Sequence, residues 1–171
     1  MIIAILLFLC ISTKAHRILS LDVKHGFNKF DLGSRISSIK NRTSINRIHN
    51  EHPKLESYVV NYPANYKLFG YTPRKIVLDF YNGLLTQISV SMPRNESLKE
   101  SQLINARILN GLGKLYGDWE ELMPSEDKMI TKSIIRKRTA LFFKSYPESA
   151  TKGDTFTYVS IPLSKLLEIK S

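Results

Sequence analysis

The hydrophobic pattern is clearest over residues 74–91. Ile76, Leu78 and Phe80 alternate with Val77, Asp79 and Tyr81; after Asn82-Gly83, Leu84, Thr86, Ile88 and Val90 alternate with Leu85, Gln87 and Ser89. Two period-two runs around Asn-Gly predict a β-hairpin. A plain two-residue turn would set Ile76, Leu78 and Phe80 on the face of Gln87 and Ser89. A three-residue loop, Tyr81-Asn82-Gly83, pairs Phe80 with Leu84, Leu78 with Thr86 and Ile76 with Ile88, keeps one face apolar, and is the expected register.

Other segments follow the same two periods. Leu19, Leu21 and Val23 predict a short strand, and Tyr58, Val60 and Tyr62 a second that ends at Pro63. Ser34 is placed to cap a short helix carrying Ile36 and Ile39 on one face. Residues 41–53 are polar and basic and read as a loop. Ser97-Leu98-Lys99-Glu100 matches a capping box before Ile104, Ile108, Leu112 and Leu115 at helical spacing, and Gly117 suits the C-terminal cap. Gly111 and Gly113 lower helix propensity but permit close packing against a sheet. Residues 134–146 predict one long strand and 155–161 another, joined by a loop over 147–154; Leu163, Leu166 and Leu167 predict a short helical turn.

The expected fold class is α+β: an antiparallel sheet with helices packed on one face, built from two pseudo-repeated helix-plus-hairpin units, half-repeats 24–92 and 95–168. Ahead of them, Ile2 to Ile11 is an unbroken apolar run closed by Ser12-Thr13-Lys14-Ala15. It is too short to span a bilayer, and the small residues Thr13 and Ala15 sit where a signal peptidase cuts, so residues 1–15 are expected to be a signal peptide. The mature chain, residues 16–171, would then be a single exported domain, periplasmic or secreted, long enough to bury a core without staples. Cleavage removes Cys10, the one cysteine, which excludes disulfide scaffolding and thiol chemistry. It also removes Lys14, lowering the formal net charge from +10 to +9. That balance favours anionic partners.

Few catalytic patterns are found. His49-Glu51-His52 lies beside Pro53 without the spacing of a helical zinc motif, so no metal and no cofactor is expected. Gly111-Leu112-Gly113 lacks a third glycine at position 116, where Tyr sits, and follows a helix instead of a strand, and no nucleophile elbow or P-loop appears. Asp118, Glu120, Glu121, Glu126 and Asp127 read as a solvated acidic loop. Two features are candidate binding determinants. Lys128, Lys132, Arg136, Lys137 and Arg138 form the densest basic tract, with Arg136 and Arg138 expected on one strand face. Trp119, the sole tryptophan, is either an aromatic anchor for a partner or a staple between helix end and sheet. Asn41-Arg42-Thr43 and Asn95-Glu96-Ser97 match the glycosylation acceptor pattern.

Phe30-Asp31-Leu32-Gly33-Ser34 before Ile36 and Ile39, then residues 76–90 with the Asn82-Gly83 turn, then Leu115-Tyr116-Gly117, resemble a pattern of small exported bacterial proteins. In outline this is similar to the helix-then-hairpin units of small outer-membrane-assembly lipoproteins, and the doubled form resembles β-lactamase inhibitory protein. The export signal, the doubled unit and the missing catalytic patterns together predict an exported, non-enzymatic protein-binding domain of inhibitor, immunity or envelope-component type. The mature chain has neither disulfide nor lipid-anchored cysteines, so no functional residue is carried over. The expected partner is another protein, with an acidic surface to match the chain's charge; the competing expectation is a cationic module for anionic lipid or glycan. Nucleic acid is not expected for an exported chain.

Overall fold

In a computed structural model the described residues are 20–93, 97–122, 129–147 and 153–168. The signal segment, Lys128, Glu126, Asp127 and Asn95 lie outside them. The fold is α+β, with one large antiparallel sheet and a few helices. A small pair, β1 (Gly26–Phe27) and β2 (Phe30–Asp31), leads into α1 (Ile36–Lys40). Four strands follow: β3 (Ile45–Ile48), β4 (Leu55–Val60), β5 (Lys75–Tyr81) and β6 (Leu84–Ser91). Then come α2 (Leu98–Tyr116), β7 (Glu120–Leu122), β8 (Ile130–Ile135), β9 (Thr139–Ser145), β10 (Thr155–Ser160) and α3 (Ile161–Glu168). The eight strands of the sheet run in the order β3-β4-β5-β6-β10-β9-β8-β7.

The central hairpin keeps its apolar face by a different device from the expected loop. The turn is the two-residue Asn82-Gly83, with φ of 50° and 73°, pairing Tyr81 with Leu84 and Phe80 with Leu85. The register then shifts, so that Asp79 faces Gln87, Leu78 faces Ile88 and Ile76 faces Val90. Thr86 is the extra residue, a β-bulge that returns Ile88 and Val90 to the face of Leu85. Its hydroxyl donates to Leu84 O at 3.1 Å. The bulge also divides the outer edge of β6. Before it, Gly33 N donates to Leu85 O and Leu85 N to Ser34 O. Beyond it, Gln87 to Ser91 pair with β10.

Four further expectations are corrected. Residues 21–23 form a turn, not a strand: Leu21 is buried while Val23 points to solvent, and Asp22 Oδ1 accepts from the backbone N–H groups of Arg138 and Thr139. Arg35, not Ser34, occupies the N-cap of α1 in an extended conformation, with no side-chain cap; the Ser34 carbonyl accepts from Leu85 N, and Ile36 N finds Gly83 O instead. The basic stretch after Asn41 contains β3, whose polar residues Asn46 and Arg47 suit an edge strand. The long strand over 134–146 is broken by a turn at residues 136–138, which makes β8 and β9 an antiparallel pair. The glycine cap of α2 and the helix over 161–168 follow the pattern, and Glu100 N donates to the Ser97 hydroxyl at 3.4 Å.

One face of the sheet carries the core. Leu78, Phe80, Leu85, Ile88, Phe156 and Leu141 are fully buried there, and α1 and α2 add Ile39, Ile108, Leu112 and Tyr116 to the same cluster. Alternation along the strands then dictates the character of the opposite face: Gln87, Ser89, Thr157 and Lys144 stand there because their neighbours stand in the core.

Candidate functional site

That opposite face holds a shallow depression of about 590 Å³, lined by residues of β6, β10, β9 and β8 together with Leu122 and Met129. No helix residue lines it among the described residues. Phe142 and Val159 are half-buried, Leu122 is 39% exposed, and Gln87, Ser89, Thr157 and Lys144 surround them. Apolar patches within a polar frame, on rigid strands, form the kind of surface that receives another macromolecule.

A hydrogen-bonded chain fixes one margin of the depression. Asn50 Nδ2 donates to Ser57 Oγ at 2.5 Å, and Ser57 Oγ donates to Asp79 Oδ1. Gln87 Nε2 donates to Asp79 Oδ2 at 2.9 Å and reaches Ser89 Oγ at 3.4 Å. Asp79 is only 6% exposed, and burial pushes its carboxyl above the ordinary aspartate value against the opposing effect of the Ser57 and Gln87 bonds. Both carboxylate oxygens are engaged, and no imidazole stands between Ser57 and Asp79 as nucleophile activation by a histidine base would require. The chain therefore orients Gln87 in the floor. The alternation of β5 had marked Asp79 only as an outward-facing polar residue; its burial comes from the neighbouring strands, and the polar residues Ser57 and Gln87 opposite it were the available signal.

The basic tract does not stay together. Lys128 is outside the described residues. Lys132 lies on the helix-bearing face, 3.4 Å from Glu121 Oε2. Arg136 Nη2 donates to Tyr116 O at 2.6 Å and Nη1 to Ile135 O at 3.0 Å, so it closes the end of α2. Lys137 and Arg138 are exposed in the β8–β9 turn, not on a strand face with Arg136. Glu120 and Glu121 belong to β7 and alternate across the sheet rather than forming part of a loop.

Trp119 packs as a staple. Its indole N–H donates to Leu109 O at 2.9 Å, and Cδ1 lies where a Cβ on Gly113 would stand 3.5 Å away. The structure does bring Trp119 and Lys132 together, in a cavity of about 340 Å³ with Lys114 and Asp118. His49 and His52 make no metal-like cluster: among the described residues no three His, Cys, Asp or Glu side chains converge. No helix of the described residues is long and apolar enough to cross a membrane.

Comparison with protein-family models, curated proteins and solved structures returns no match for this chain.

Proposed function

We propose that this protein is an exported, non-enzymatic binding domain of inhibitor, immunity or envelope-component type, which holds a protein partner against its open sheet face. The observation that carries this reading is the depression around Phe142 and Val159, which no described helix residue lines, built on strands whose opposite face is fixed in the core. The apolar run of residues 2–11 supports export, and the net positive charge supports an acidic partner. The strand order, which mirrors about the β6–β10 pair with one helix ahead of each group of four strands, supports two pseudo-repeated half-units whose helices share one face. The other reading, a cationic module for anionic lipid or glycan, draws less support because Lys132 and Arg136 are engaged within the fold.

The test is site-specific photocrosslinking in cells that export the full chain. A photoreactive residue at Phe142 should yield one protein adduct that Thr157→Arg abolishes, while the same residue at Lys99, on the exposed side of α2, yields none. Absence of an adduct at 142, or equal labelling at both positions, refutes the reading.

A further inference from the structure

On the helix-bearing side, the turn at residues 20–24, the β1–β2 pair, residues 67–69, the last turn of α2 and β10 enclose a cavity of about 340 Å³. The ionisable side chains lining it are Lys24, Lys67, Tyr116 and Tyr158; no carboxylate among the described residues does so. Lys24 and Lys67 are exposed, and neither forms an ion pair with a described residue. Tyr116 and Tyr158 are only 3% and 2% exposed, yet neither hydroxyl is hydrogen-bonded to a described residue. Nor is either sealed in: the fully buried side-chain polar atom without a partner is Ser133 Oγ. The two phenol donors are therefore open to the cavity, and a buried donor without a partner gains most from an acceptor placed there.

One further observation agrees. Burial raises both phenols above their ordinary value, so they remain protonated donors across the physiological range. Asn28 and Phe69 line this cavity from the tight turns that join Phe27 to Phe30 and Leu68 to Tyr71, whose geometry sets their positive φ of 58° and 49°. The negative end of α2 would oppose an anion, but Arg136 already occupies the terminal Tyr116 carbonyl.

We infer that this cavity binds a small amphipathic organic anion, a carboxylate on a short apolar body. Lys24, Lys67 and the two phenols receive the carboxylate, and Phe69 and Leu112 pack against the body. The site is separate from the proposed partner face, because Tyr158 stands on the opposite side of β10 from Thr157 and Val159.

Isothermal titration of the purified protein with octanoate, against 1-octanol as the uncharged match, tests this. Octanoate should bind saturably at one site, at least tenfold more tightly than octanol. Lys24→Met/Lys67→Met should weaken it at least tenfold, and Tyr158→Phe, which keeps the ring against Phe27, at least threefold with the melting curve unchanged. No octanoate binding, equal affinity for octanol, or an unchanged affinity in the lysine variant overturns the inference.

Discussion

Replacing Gly117 with alanine strikes two features with one methyl group. Gly117 has φ 106° and ψ −178°, a region open essentially to glycine alone, so the backbone strain is about 1–3 kcal/mol. The new Cβ would also stand 2.3 Å from Arg136 Nη2, which must withdraw and release Tyr116 O. A hydrogen bond from a charged donor contributes about 1.5–3 kcal/mol. Gly117→Ala should therefore destabilise by about 2.5–6 kcal/mol, from both terms, and Arg136→Ala by about 1.5–3 kcal/mol, from the hydrogen bond alone. The two share one contact, so the double variant should cost no more than Gly117→Ala alone, a non-additivity that a double-mutant cycle reads directly. Urea unfolding of the four proteins at pH 7 gives the cycle. Additive losses, or a Gly117→Ala loss below about 1 kcal/mol, would show that Arg136 does not close the helix and belongs to the surface as the basic tract first suggested.

Asp79→Asn removes a charge that burial disfavours. Because the folded carboxyl titrates above the ordinary aspartate value of 3.8, its protonated form favours folding; that contribution is complete below 3.8 and is lost as pH rises through the folded value. Wild type should therefore gain stability over the variant as pH falls through that window, measured as urea midpoints, and the opposite trend refutes the assignment. Trp119→Phe should cost about 1–2 kcal/mol in thermal or urea unfolding, from the lost bond to Leu109 O and looser packing on Gly113, and leave the Phe142 crosslink intact. Deleting Thr86 should leave Leu78 opposite Ile88, since it removes the one residue without a cross-strand partner; inter-strand amide NMR contacts showing Leu78 opposite any other residue would refute the bulge. Lys132→Ala should change stability by no more than about 1 kcal/mol, because its ion pair with Glu121 is open to solvent on the Glu121 side, 63% exposed against 32% for Lys132; a larger loss in urea unfolding would contradict this.

Local chemistry sufficed for some elements. The Ser97 cap, the apolar stripe through Ile108 and Leu112 and the Gly117 stop define α2 without reference to the rest of the chain, because capping and helical period act within a few residues. The 74–91 hairpin and its apolar face were likewise legible, since alternation on both sides of Asn-Gly admits no other element. How that face was kept was not: a three-residue loop and a two-residue turn with a bulge satisfy the same pattern. The choice rests on Ser34 and Gly33, distant in sequence, which bond Leu85 and need the edge of β6 divided at Thr86. The same limit explains the strand break at Arg136, whose side chain serves the end of α2, and the turn at Asp22, whose carboxylate holds Arg138 and Thr139.

For the candidate site, the sequence by itself determined the ingredients: a cationic chain, one tryptophan, a basic tract and a sheet with one polar face. Tertiary structure decided their use. It turned Arg136 and Trp119 inward to finish α2, buried Asp79 between Ser57 and Gln87, and set the half-buried Phe142 and Val159 on the far side of the core. Period-two alternation tells which residues share a face, but which face a helix covers depends on contacts between distant strands and helices, and those exist only once the chain has folded.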